Sequence, residues 1–164
     1  MSIKPLRNGF ASEVTGLDLR HSQEEDLRAA LYQAFAERSV LVIRNQKLEP
    51  ADFLECSRIF GNPMMQSLEQ FRIPDCPLVG FISSRDKGSN GKVITRGSNW
   101  HTDHSHTVRP PKATMLHAIT LPDYGGDTQF CSMHLMYDAL SEKLKMQIDR
   151  INCLHIWMSR RCPR

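Results

Sequence analysis

The stretch Ser98-Asn-Trp-His-Thr-Asp-His-Ser-His106, SNWHTDHSH, sets three histidines and one carboxylate between His101 and His106. Side chains of these types, crowded so closely, are first of all metal-ligand candidates. In an extended segment residues i and i+2 point to one side, so His101 and Asp103 are expected to converge while Thr102 and His104 face away. One imidazole and one carboxylate are two of the three donors in the facial set that holds non-haem Fe(II). Taken alone, H-x-D fits equally well a solvated polar loop whose histidines make ordinary hydrogen bonds.

A different metal chemistry also fits. Asn99-x-His101-x-Asp103-His104 approximates the H-x-H-x-D-H ligand pattern of metallo-β-lactamase-fold hydrolases, with asparagine for the first histidine. There the metals would generate a hydroxide nucleophile. That fold turns into a helix directly after the motif, whereas Pro110-Pro111 favour an extended exit here.

The chain around the motif has the size of one domain, 164 residues, with 40% hydrophobic and 24% charged residues and a net charge of +3. Basic residues are scattered among acidic ones, which speaks against a nucleic-acid binder. No run is long and apolar enough for a bilayer, and MSIKPLRNGFASEV lacks a signal-peptide core. Five cysteines, at 56, 76, 131, 153 and 162, are odd in number and form no C-x-x-C pair. Reduced thiols in a soluble, cytoplasmic protein are the expectation.

The periodicity predicts a helix from Ser22, with Ser22 and Glu25 as a capping box and Leu27, Ala30, Leu31, Ala34 and Phe35 on one face. Val40-Leu-Val-Ile43 has the composition of a buried strand. Pro50 opens a second helix with Gly61 as its stop. Beyond Gly61 the pattern becomes loop-rich: Leu78 to Ile82 reads as a strand and RDKGSNGK (85–92) as a turn or loop. ATMLHAITL (113–121) alternates in part, with Met115, His117 and Ile119 on one face. PDYGGD (122–127) then leads into a strand at TQFCS (128–132), and Ser132 and Ser141 would cap a closing helical pair. Helices, then short strands, then helices predict an α+β fold.

From Ser98 to Lys145 the chain resembles the taurine/dichlorophenoxyacetate (TauD/TfdA) family of Fe(II)- and 2-oxoglutarate-dependent dioxygenases. WHTD (100–103), PPKA (110–113), MLHA (115–118), GGDT (125–128) and YDALS (137–141) occur in the family's order. Upstream, GFASEVTGLDL (9–19), SVLVIRNQ (39–46) and RIFGNP (58–63) are similar to its earlier blocks. The resemblance implies one domain, 1–164, forming the N-terminal part of a double-stranded β-helix (jelly-roll) with flanking helices and an incomplete barrel.

It further implies that His101 and Asp103 are iron ligands and that Thr128 hydrogen-bonds a carboxylate of 2-oxoglutarate. A hydroxyl at a strand start can donate to that anion, and Gly125-Gly126 allow a tight turn beside it. Trp100 is expected to pack beneath the motif, His106 and His134 to be exposed, and His117 to be a structural histidine on its strand. The implied reaction hydroxylates a small organic substrate, such as a sulfonate or carboxylate, consuming dioxygen and releasing succinate and CO2. Arg85, Lys92 and Arg96 suit an anionic substrate as readily as they suit a solvated loop. No nucleic acid or membrane is implied, and a homo-oligomer is compatible with the sequence.

The departures from the family pattern weigh as much. Family members take a second histidine ligand from far downstream, and an arginine beyond it pairs with the cosubstrate's distal carboxylate. Neither has a counterpart here: His155 resembles a histidine at a helix end, and Arg160, Arg161 and Arg164 follow no matching motif. HIWMSRRCPR (155–164) fits no element ending, so the chain reads as C-terminally truncated. The expectation for these residues alone is weak iron binding, and the alternative to an oxygenase is an inactive family remnant that pairs with another subunit.

Overall fold

The computed structural model describes residues 1–7, 9–66, 68–88, 90–93, 97 and 99–156. Arg96, Arg160, Arg161, Cys162 and Arg164, and Ser98 of the opening motif, lie outside the described residues. Two units emerge: residues 1–102 with 111–117, and residues 103–110 with the chain from 118 onward.

The first unit opens with strands, where the sequence pattern had placed helices first. Strands β1 (Ser2–Pro5) and β2 (Ala11–Thr15) pair antiparallel, Ser2 opposite Thr15. Helix α1 (Glu25–Arg38) then carries the chain to β3 (Val40–Ile43), which pairs parallel with β2, Ala11 opposite Val40. The central strand of the sheet is therefore β2, and its Ala11, Ser12 and Val14 are buried. Strand β3, expected to be buried, is an edge strand with half-buried side chains throughout. Sequence β-propensity registers Val40 to Ile43 strongly but carries no information about which strand is central.

Helix α1 begins three residues after the predicted cap. The Ser22 hydroxyl, fully buried, donates instead to the Leu19 carbonyl at 2.6 Å, closing a 3-10 turn over Leu19–His21. The predicted apolar face of α1 holds: Leu31 and Ala34 are buried, with Leu27, Ala30 and Phe35 half-buried. Helix α2 (Pro50–Ser57) starts at the predicted proline, and Glu49 and Asp52 form a reciprocal capping box at its N-terminus. Its last turn and the residues after it deliver Cys56 and Ile59 to a core with Val14, Leu19, Leu31 and Leu48. Val14 and Leu31 have no exposed surface; each such side chain contributes roughly 1.5–3 kcal/mol.

A short hairpin, β4 (Arg72–Ile73) with β5 (Cys76–Gly80), follows, slightly ahead of the predicted strand. Phe71 and Phe81 meet edge to face at its base, centroids 6.0 Å apart. The 111–117 segment then returns to this unit. Met115 packs against the core, the Lys112 ammonium donates to the Tyr32 hydroxyl at 2.7 Å, and the His117 ring stacks on Phe53.

The second unit holds a turn at 103–106, an irregular stretch over 118–132, and two short helices, α3 (Met133–Asp138) and α4 (Glu142–Ile148). Both predicted serine caps form: Ser132 accepts from the Leu135 amide and Ser141 from the Leu144 amide. The Tyr137 hydroxyl donates to Asp149 at 2.6 Å, which pushes the phenol pKa up. The two predicted strands, 113–121 and 128–132, do not form. A strand needs a ladder partner, and among the described residues none lies beside either segment. Met115 and His117 do share a half-buried face, as the alternation predicted, but Ile119 is 86% exposed.

Candidate metal and cosubstrate site

The boundary between the units passes between Thr102 and Asp103, so the two predicted ligands belong to different units. In the first unit His101 is exposed, and its Nδ1 lies 2.7 Å from the Asn99 carbonyl oxygen. A carbonyl accepts only, so Nδ1 carries a proton in this contact, and in the neutral ring the lone pair then falls on Nε2. That is the tautomer an imidazole ligand needs, with its other nitrogen held by a backbone acceptor. Gly97, at φ +65°, turns the chain just before the motif, and a Cβ there would sit 3.8 Å from His101 Cε1.

In the second unit Asp103 is half-buried at the start of a turn rather than within a strand. His104 takes a left-handed conformation, φ +51°, and its carbonyl accepts from both the amide and the hydroxyl of Thr107. The rings of His104 and His106 lie 5.8 Å apart. Alternation over i and i+2 applies to strands, so the turn removes the geometric ground for pairing His101 with Asp103. Their pairing rests on the W-H-T-D pattern instead. Trp100, expected to be packed, is 67% exposed. As expected, His106 and His134 are exposed. His155 Nδ1 lies 2.9 Å from the Ser105 hydroxyl.

Thr128 is exposed on irregular chain rather than at a strand start. Gly125 and Gly126 just before it take φ +72° and +71°, consecutive left-handed residues that side-chain-bearing residues adopt only with strain. The chain bends at Asp123-Tyr124, and no hydrogen-bonded turn forms at Gly125-Gly126 among the described residues.

The donor types suit a borderline divalent metal and an anionic cosubstrate: an imidazole, a carboxylate and a hydroxyl. Among the described residues no group of three or more His, Cys, Asp and Glu side chains is gathered to hold a metal. Residues that sequence reasoning missed belong to the frame. In the sequence Gln46 stands out only as the last residue of SVLVIRNQ (39–46). Its side chain accepts from the Leu19 amide at 2.9 Å and donates to the Leu17 and Arg44 carbonyls, both at 2.7 Å. No periodicity marks such a residue, because its role is to satisfy backbone groups.

Residues 2–162 match the family described as taurine catabolism dioxygenase TauD, TfdA family. The chain belongs to this family. A TauD/TfdA relative from Cupriavidus pinatubonensis (strain JMP 134 / LMG 1197), an alpha-ketoglutarate-dependent 2,4-dichlorophenoxyacetate dioxygenase, is 29% identical over 96% of this chain and 58% of its own length. The alpha-ketoglutarate-dependent sulfonate dioxygenase of Saccharomyces cerevisiae is 26% identical over 94% of this chain and 39% of its own. A Burkholderia xenovorans crystal structure, provisionally described as an alpha-ketoglutarate-dependent taurine dioxygenase, matches with a TM-score of 0.77 at 28% identity. It covers 91% of this chain, which in turn covers 51% of that one. The fold is thus a partial TauD/TfdA jelly-roll of α+β character. The chain spans about half the length of the curated relatives it matches. A metallo-β-lactamase-type hydrolase is set aside by the family match.

Proposed function

We propose that this chain carries part of the metal and cosubstrate site of an Fe(II)- and 2-oxoglutarate-dependent dioxygenase. The reaction hydroxylates a small organic anion, a sulfonate or carboxylate, with release of succinate and CO2. The observation that carries this reading is the family match across residues 2–162, which contains the W-H-T-D run at 100–103.

In this reading His101 supplies Nε2 and Asp103 a carboxylate oxygen to the metal. The Asn99 carbonyl, by accepting from Nδ1, keeps the His101 proton off the ligating nitrogen. Thr128 donates its hydroxyl to a cosubstrate carboxylate, a charge-assisted hydrogen bond. Bound there, the metal would supply dioxygen activation, chemistry that no side chain of this protein performs alone. We place the protein in the cytoplasm: Cys56, Cys76, Cys131 and Cys153 are free thiols, and among the described residues no helix is long and apolar enough to cross a membrane.

A second reading is an inactive family member that serves as a partner subunit. It is favoured by the lack, among the described residues, of a gathered three-donor set. Anaerobic titration with Fe(II) and 2-oxoglutarate separates the two. The dioxygenase reading expects saturable binding that weakens by at least about tenfold in His101→Ala or Asp103→Ala, the lower end of what removing even an outer-sphere partner costs. Binding unchanged in the double variant would sink it and leave the subunit reading.

A further inference from the structure

The candidate carboxylate Asp103 is followed at once by a residue in a costly conformation. His104 sits at φ +51°, where a side-chain-bearing residue is held only by surroundings that enforce it. Bonds on its C-terminal side supply that enforcement. The His104 carbonyl accepts from the Thr107 amide at 3.0 Å and from the Thr107 hydroxyl at 2.9 Å, and these close the turn upon itself. Ser105, half-buried, reaches out of the turn: its hydroxyl lies 2.9 Å from His155 Nδ1, a contact between residues 50 apart in the chain.

That contact joins the two separate pieces of the second unit, residues 103–110 and the chain from 118 onward. The piece that carries His155 has a frame of its own. Tyr137 of α3 bonds to Asp149 just past α4, and the Ile151 amide donates to the Ile148 carbonyl at 2.9 Å, which turns the chain once more before His155. Either neutral tautomer of the His155 ring supports the bond to Ser105, since a hydroxyl both donates and accepts. The pairing does not depend on which ring nitrogen carries the proton.

We propose that His155 is a positioning residue: through Ser105 it holds the turn that begins at Asp103, and so fixes where the Asp103 carboxylate is presented. The effect on metal affinity rests on the reading of Asp103 as a ligand; the tether itself is a property of the second unit. His155 acts at one remove, as groups that hold a ligating residue do, and such supports commonly govern affinity by tenfold or more. Here the support is one hydrogen bond from an exposed ring, so the effect falls at or below the lower end of that range.

The test uses the full 164-residue chain with His155→Ala, Ser105→Ala, the double variant and His155→Asn, whose side-chain amide can take the place of Nδ1. Hydrogen exchange reads the Thr107 amide, and anaerobic titration with Fe(II) in the presence of 2-oxoglutarate reads affinity. Either alanine variant should speed Thr107 exchange by about threefold or more and weaken Fe(II) binding by roughly three- to tenfold. The double variant should be no worse than the single ones, because each removes the same bond, and His155→Asn should recover most of the loss. Exchange over residues 11–60 should not change in any variant, which keeps a general loss of folding apart from loss of the tether. Thr107 exchange at the parent rate in either alanine variant would overturn the proposal. So would losses that multiply in the double variant, or Fe(II) affinity that stays put while exchange quickens. A parent chain that takes up no Fe(II) would sink the dioxygenase reading instead, and Thr107 exchange alone would then decide the tether.

Discussion

The His117 imidazole stacks on the Phe53 ring, centroids 6.0 Å apart and planes 26° apart, while its Nε2 lies 3.3 Å from the Gln46 carbonyl. These contacts tie the 111–117 segment to α2 and to the loop that follows β3. His117→Ala should cost about 1–2 kcal/mol, from one ring contact and one hydrogen bond. Urea denaturation of His117→Ala, Phe53→Ala and the double variant should give a coupling of about 0.5–1 kcal/mol. Additive losses would show that the two rings stabilise the fold independently.

Gln46 concentrates three backbone contacts in one side-chain amide. Gln46→Ala leaves the Leu19 amide and the Leu17 carbonyl without that partner, which should cost about 2–3 kcal/mol. Gln46→Glu keeps an acceptor for Leu19 but brings a carboxylate against the Leu17 and Arg44 carbonyls. It should be at least as destabilising near neutral pH and recover as the carboxylate protonates. Midpoints of thermal unfolding at two pH values read both effects.

The cysteines should separate by burial. The Cys56 thiol donates to the Leu19 carbonyl at 3.4 Å, and burial pushes its pKa up. Because the folded pKa is raised, its contribution to stability is present below the ordinary thiol range and is lost as pH rises through the folded value. At mildly alkaline pH, alkylation mapped by peptide mass should mark the exposed Cys131 and Cys153 first. Cys56 should react at least roughly a hundredfold more slowly until denaturant is added. Equal labelling of Cys56 in native protein would contradict the packing of this core.

The Arg20 guanidinium, 2.6 Å from Asp18, holds that carboxyl at about 2. A lowered folded pKa means the stabilisation is present above the ordinary carboxylate range and is lost as pH falls toward 2. Both groups are exposed, so the effect is small and salt-screened. Asp18→Asn should flatten this part of the acid profile at low ionic strength, and roughly 1 M salt should erase the difference between variant and parent. Asp18 also accepts from the Arg20 amide, a cap the asparagine retains. A difference that survives high salt would point to that cap instead.

Legibility divides by the kind of interaction. The core face of α1, the proline start of α2 and the serine caps of α3 and α4 are local, and the sequence periods and cap residues announce them. Strands β1 and β2 went unseen because Ser2–Pro5 and Ala11–Thr15 are short and mixed, and become strands through pairing with each other and with β3. The reverse holds at 113–121, where partial alternation is present and a ladder is not. At the candidate site, residue types and order were readable as a family pattern. That Asp103 begins a turn, that His101 leans on the Asn99 carbonyl and that Trp100 lies open to solvent were not, since each depends on backbone geometry that the motif does not encode.

The first unit's core carries a consequence for biosynthesis. Val14, Leu19, Leu31, Leu48, Cys56 and Ile59 all lie within the first sixty residues, as do all three strands of the larger sheet. Contacts so near in sequence close quickly, and N-terminal parts fold first as a chain emerges from the ribosome. This core can therefore be assembled before the H-x-D motif has been translated, so that the motif emerges onto a frame already folded and Met115 and His117 dock onto finished surfaces.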